Sequence, residues 1–234
     1  MKVKLFIVLA FVSFFLISCD FSSIKKRDNI TELNGFWTGT QTIDGTTTDV
    51  ELISYNNNFY GFSEVAGVMF SGIGSISKKN FNASYNLYTL DTGVKFGTGD
   101  INGYTEKDNK IYGDIKNSLG QYGQFKMKID KNNLHTTPKI KTIATTYHIN
   151  NRGTLIINNM GKAEGNIDGC SIDGKIIIPD ENINIYDVSF RLSNCEYSGY
   201  YHGIATVIDR DNNKYLYIGS SNNQYMNFLH IKIP

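Results

Sequence analysis

The chain has 234 residues, 41% of them hydrophobic, and a net charge of +1. That length suffices for one large domain or two of about 100 residues each. No long run of one sign survives beyond Lys25-Lys26-Arg27, so the electrostatic footprint of a nucleic-acid binder is missing. Gly 22, Tyr 15 and Phe 14 against Pro 3 describe a chain of strand formers and turn formers, which points to an all-β protein.

The chain opens with Lys2 and Lys4, continues as an apolar run from Leu5 to Phe15, and ends that run in Leu16-Ile17-Ser18-Cys19, with Asp20 behind it. Charge, hydrocarbon and a small-residue exit stand in secretory order. The run falls short of the roughly 20 apolar residues a spanning helix needs. Leu at −3, Ser at −1 and Cys at +1 resemble the lipobox of bacterial lipoproteins. The resemblance implies a signal peptide at 1 to 18, a diacylglyceryl group on the Cys19 thiol, and a lipid anchor on a membrane of the bacterial cell envelope. An uncleaved helix and an ordinary secretory signal are the alternatives. Asp20 resembles the enterobacterial signal for retention on the periplasmic face of the inner membrane; the other destination is the outer membrane.

Residues 19 to 33 read as the lipidated Cys and a polar, unpatterned tether. Its three basic residues are a weak signal for anionic headgroups. Order is expected from Gly35-Phe36-Trp37-Thr38-Gly39, a G-x-W-x-G pattern that resembles the first strand of lipocalin-like β-barrels, where the Trp plugs the closed end. Strand-like runs then alternate with turn signals. Strands are predicted at 36 to 43, 47 to 55, 58 to 64, 67 to 77, 81 to 90, 93 to 102, 110 to 116 and 122 to 129. The short turns between them imply an antiparallel meander.

The pattern lapses at 132 to 138, which separates an N-terminal β domain, 34 to 131, from a C-terminal one, 139 to 234. Strands resume at 140 to 149, 153 to 158, 161 to 167, 170 to 178, 184 to 193, 196 to 208, 214 to 219 and 225 to 233. The second half reads as a faint copy of the first. Leu52 falls opposite Leu155, Phe70-Ser71-Gly72 opposite Ile172-Asp173-Gly174, Tyr85 opposite Tyr186, and Lys128-Ile129 opposite Lys232-Ile233. The expected fold is two tandem antiparallel meander domains, small barrels or sandwiches, arising by internal duplication.

With Cys19 taken by lipid, Cys170 and Cys195 remain as an even pair in an oxidising compartment; two buried free thiols are the alternative. Pairing the apolar faces of strands 170 to 178 and 184 to 193 with Ile178 opposite Tyr186 brings Cys170 opposite Asn194. Cys195 is one residue further and would point to the other face, so a disulfide requires a bulge or turn at Ser193-Asn194.

None of His135, His148, His202 and His230 stands at zinc-ligand spacing from a second ligand, and no cofactor or metal is expected. Asp209-Arg210-Asp211-Asn212-Asn213 begins like a calcium loop but has Lys214 where that loop needs Gly, and reads as a polar hairpin turn. Tyr200, Tyr201, Tyr215 and Tyr217 form a candidate binding surface, because tyrosine offers a flat apolar face and a polar tip. The expected function is a non-catalytic binding or assembly module of the envelope, partnered by a membrane and a protein. An inhibitor or immunity lipoprotein against an enzyme toxin is the alternative, and an envelope hydrolase a distant third.

Overall fold

A computed structural model describes residues 33 to 106 and 109 to 234. The signal segment, Cys19 and most of the tether lie outside the described residues.

Eight strands follow one another in the first half: β1 (Gly35–Ile43), β2 (Thr46–Tyr55), β3 (Asn58–Ser63), β4 (Val68–Ser77), β5 (Asn80–Thr89), β6 (Lys95–Glu106), β7 (Lys110–Asn117) and β8 (Tyr122–Ile129). Each pairs antiparallel with the next, and β1 also pairs with β8, with Trp37 opposite Ile129. The sheet therefore closes into a barrel and leaves no edge. Residues that tolerate left-handed backbone sit at the reversals, among them Asp44, Asn56, Asn57 and Asn109. β6 runs four residues past its predicted end, to Glu106. Its inward positions include Gly97, Gly99 and Gly103, which give no apolar alternation to read.

One end of this barrel is plugged. Trp37, 1% exposed, donates its Nε1 hydrogen to the Leu33 carbonyl at 3.1 Å and to Ser54 Oγ at 2.9 Å. Leu33 itself is buried beside it, so the chain comes into the barrel at its closed end. An indole N–H buried in this way needs a partner, and this one has two.

The second half repeats the plan. β9 (Thr146–Ile149), β10 (Gly153–Ile157), β11 (Lys162–Ile167), β12 (Cys170–Ile177), β13 (Tyr186–Ser193), β14 (Gly199–Arg210), β15 (Asn213–Ser221) and β16 (Met226–Lys232) form an antiparallel meander in sequence order. Two barrel-like sheets of eight strands thus stand in tandem. Strands of equal rank carry the matched residues, Leu52 on β2 and Leu155 on β10, Tyr85 on β5 and Tyr186 on β13. The second sheet does not close. Among the described residues β9 pairs only with β10 and β16 only with β15.

The predicted strand at 140 to 149 begins only at Thr146. Its first part is the helical turn α2 (Ile140–Ile143), where Ile140 and Ile143, three residues apart, turn to the same side and pack on the second core. The segment read as a linker begins with another helical turn, α1 (Lys131–Leu134), capped by the Asp130 carboxylate. It is docked: Asn133 is buried, its Oδ1 accepts from the Asp209 amide at 2.9 Å, and Asn184 Nδ2 donates to its carbonyl at 3.0 Å.

The two sheets share a third core. Outward residues of the first barrel, Phe36, Ile53, Tyr60, Met69 and Tyr88, interlock with Ile185, Ile204, Ile208, Tyr217 and Met226 of the second half. β14 accordingly reads as a near-continuous apolar run, Ile204 to Ile208, buried on both faces. Arg210 reaches across to Glu51 at 2.7 Å, and the Tyr60 hydroxyl donates to the His202 carbonyl at 3.1 Å.

Candidate functional site

The first barrel is hollow. A cavity of about 440 Å³ occupies it, within the range of small-molecule sites. Val50, Leu52, Phe59, Leu87, Ile115 and Met127 contribute to an apolar wall, and Trp37 and Leu33 form the floor. Polar side chains gather toward the other end, where Gln41 Nε2 donates to Thr48 Oγ1 at 3.3 Å and Asn117 Nδ2 donates to Gln121 Oε1 at 2.8 Å. There the cavity opens between the β1–β2, β3–β4 and β7–β8 turns. Apolar residues stand exposed around that mouth: Val65 is 78% and Leu119 53% exposed, with Val94 and Phe96 nearby.

The hollow has a structural cause. Inward aromatic residues lie directly opposite glycines of the neighbouring strand: Phe70 faces Gly61, Phe59 faces Gly72, Tyr85 faces Gly99, and Phe125 faces Gly113. A Cβ on Gly61 would stand 2.4 Å from the Phe70 ring, and one on Gly99 would stand 2.3 Å from that of Tyr85. Each ring therefore lies back over a bare stretch of the opposite strand instead of projecting into the lumen. Burial pushes the Tyr85 phenol up to about 12, so it stays neutral at physiological pH. In the second half Tyr147, Tyr186 and Tyr201 are fully buried within the sheet's core, and the cleft there is about 90 Å³.

The predicted disulfide is present. Cys170 and Cys195 are bonded with their Cα atoms 4.9 Å apart. β12 and β13 pair in the predicted register, with Ile176 opposite Val188. Asn194 takes a left-handed φ of 64°, the local turn that carries Cys195 round to its partner. This turn also delays β14 to Gly199 rather than the predicted 196.

The four tyrosines do not form one surface. Tyr200 is 68% exposed, with the Arg191 guanidinium 5.7 Å from its ring centre. Tyr201, one residue on, points the other way and is buried in the second core, its hydroxyl donating to the Tyr197 carbonyl at 2.8 Å. Tyr215 and Tyr217 share the face of β15 that turns toward the first barrel. Tyr217 is fully buried and stacks on His230 at 4.3 Å between ring centres. His230 is exposed, but packing against Tyr215 and Tyr217 partly desolvates its ring and holds the imidazole below its ordinary range. The adjacent aromatics are core and interface residues, as strand parity requires.

Asp211 and Asn212 both take left-handed backbone in a tight hairpin between β14 and β15. Among the described residues no group of three or more His, Cys, Asp and Glu is placed to hold a metal ion. No family model, curated protein or solved structure matches this chain.

Proposed function

We propose that this protein is a bacterial envelope lipoprotein, anchored through Cys19, that acts as a non-catalytic binding module and takes an apolar small molecule into its first barrel. The cavity of about 440 Å³ carries the reading. Its apolar wall fits a hydrocarbon body, and the Gln41, Thr48, Asn117 and Gln121 side chains toward the mouth fit a polar head. Burying such a body is worth about 0.8 kcal/mol per methylene. The exposed Val65 and Leu119 carry the apolar character of the wall out to the rim.

Two measurements test it. Protein purified gently from envelopes is analysed by native mass spectrometry and organic extraction for a co-purifying small molecule. Stripped protein is then titrated with a fluorescent apolar probe, and the probe is displaced with fatty acids. Saturable, displaceable binding at one site is expected; no bound species and no probe binding would refute the reading.

A second reading, an inhibitor or immunity protein against a periplasmic enzyme, draws on the edge of β9 and on the edge of β16 beyond Met226, neither of which pairs with a further strand among the described residues. Such edges accept a partner's strand. Crosslinking followed by pull-down separates the two readings.

A further inference from the structure

The two ends of the first barrel carry opposite charge. At the mouth, the loops at 44 to 45, 64 to 67, 90 to 94 and 118 to 121 contain Asp44, Glu64 and Asp91 and no lysine or arginine, and Lys95 stands exposed beside them at the start of β6, which leaves the acidic side chains in excess. All three carboxylates are exposed. The closed end and the adjoining outer face of β6 to β8 carry Lys78, Lys79, Lys110, Lys126, Lys128 and Lys131. Among the described residues three carboxylates share that end and face, and one of them, Asp114 on β7, accepts from Gln124 Nε2 at 3.3 Å. Glu106 stands opposite Lys110, and Asp130 is engaged in capping α1. Nearer the mouth, Lys116 is offset by Asp100 directly opposite it.

The lysines are arranged against their own repulsion. Lys110 and Lys128 are direct cross-strand partners, a like-charge placement that destabilises a sheet. Among the described residues, no ion pair within 4.0 Å involves Lys110, Lys126 or Lys128. Beside them Tyr104, 48% exposed, stacks on Tyr112 with ring centres 5.8 Å apart, and the Lys126 ammonium lies 5.5 Å from the Tyr112 ring centre. Lysines around exposed tyrosines make up the chemistry of a membrane–water interface. The second half covers the outer faces of β2 to β5, so this patch is unobstructed. The chain also comes into the barrel at this end, at Leu33, with only residues 20 to 32 between it and Cys19.

We infer that the closed end of the first barrel, with the lysine and tyrosine patch on β6 to β8, rests on an anionic bilayer surface, so that the cavity mouth points away from the membrane holding the anchor. The inference builds on the lipoprotein reading above and adds an orientation to it. The opposite orientation would press Asp44, Glu64 and Asp91 against anionic headgroups. In the inferred one the barrel receives its ligand from the aqueous side, not from the leaflet beneath it.

Two experiments decide it. First, the unlipidated Cys19→Ser protein is sedimented with vesicles of phosphatidylglycerol and phosphatidylcholine, or of phosphatidylcholine alone, at low salt. Binding to the anionic vesicles only is expected. Each lysine at such a surface strengthens partitioning about fivefold, so Lys110→Glu/Lys126→Glu/Lys128→Glu should weaken it at least about tenfold. Circular dichroism of that variant checks its fold, and the milder Lys126→Gln/Lys128→Gln serves if the first variant misfolds. Second, the lipidated protein is labelled with a fluorophore at Asn102→Cys, beside the patch, or at Leu119→Cys, at the mouth, and quenched by headgroup-attached quencher. Stronger quenching at 102 is expected.

Absence of vesicle binding by the Cys19→Ser protein, or stronger quenching at 119, overturns the orientation while leaving the anchor intact. Loss of the native protein from membrane fractions would overturn the anchor instead, and the vesicle experiment would still decide the patch.

Discussion

Gly99→Ala is the substitution that most directly tests how the hollow barrel is kept open. Its Cβ would stand 2.3 Å from Tyr85 Cζ and 2.4 Å from the hydroxyl, so the ring must retreat by about 1 Å to reach van der Waals contact. The three nearest neighbours of that Cβ are all Tyr85 side-chain atoms, and the side chain borders the cavity, so the ring can swing into free space. Overpacking a filled core costs about 1–3 kcal/mol, and the low end is expected here. The ligand meets the cost instead: each methylene excluded from the lumen weakens binding by about 0.8 kcal/mol, or about fourfold. Gly174→Ala is the matched control in the second half. Its Cβ would meet Phe190 Cδ1 at 2.3 Å and the Ser189 carbonyl oxygen at 2.5 Å, and backbone cannot swing away. The assay pairs urea denaturation with titration of the apolar probe. Gly99→Ala should weaken probe binding at least about fourfold with a small stability loss, and Gly174→Ala should do the reverse. Equal effects of the two on the probe, or none from Gly99→Ala, would refute the idea that glycine–aromatic pairing holds the lumen open.

Three further outcomes are expected. Replacing Cys170 and Cys195 with serine opens a loop of separation 25 and should cost up to about 3.5 kcal/mol by chain entropy, read from the urea midpoint; no loss would count against that account. Trp37→Phe removes the donor to Leu33 and Ser54 at the barrel floor and should cost about 1–3 kcal/mol, read from the urea midpoint by far-ultraviolet circular dichroism because the variant holds no tryptophan; an unchanged midpoint would count against the role of those hydrogen bonds. The His230 pKa is lowered from 6.5 by partial desolvation of its ring against Tyr215 and Tyr217, so the folded state resists protonation. Its contribution is present above pH 6.5 and is lost as the pH falls below that value. His230→Gln should therefore flatten the fall in stability between about pH 7.5 and about pH 5.5, and an unchanged slope would show that other groups govern it.

Strand positions were legible where apolar side chains alternate with polar ones, as on β5 with Phe81, Ala83, Tyr85 and Leu87. The register of β12 on β13 was legible because two alternating faces must coincide, and it located the turn that the disulfide needs. The cavity was not legible. It depends on which glycine lies across from which ring, as Gly99 does from Tyr85 fourteen residues away, and that pairing appears only once every register is fixed. The tyrosine cluster misled for a related reason. Tyr200 and Tyr201 are adjacent in sequence but lie on opposite faces of one strand. Tyr217 is buried by the other half of the molecule, which no local pattern announces.

The loop from Leu90 to Val94 belongs to two structures at once. The Leu90 amide donates to the Gly67 carbonyl, the Met226 amide donates to the Gly93 carbonyl at 2.9 Å, and Lys95 donates to Gln224 at 2.9 Å. A Cβ on Gly93 would lie 2.2 Å from the Met226 carbonyl oxygen, so no other residue fits that approach. One side of the barrel's rim is thus splinted to the start of β16, while the hydrogen bonds of the turn at Ser118 to Gln121, among the described residues, stay within its own barrel. Widening of the rim to pass a bulky ligand should fall on the unsplinted side, and amide exchange there should slow when the barrel is filled.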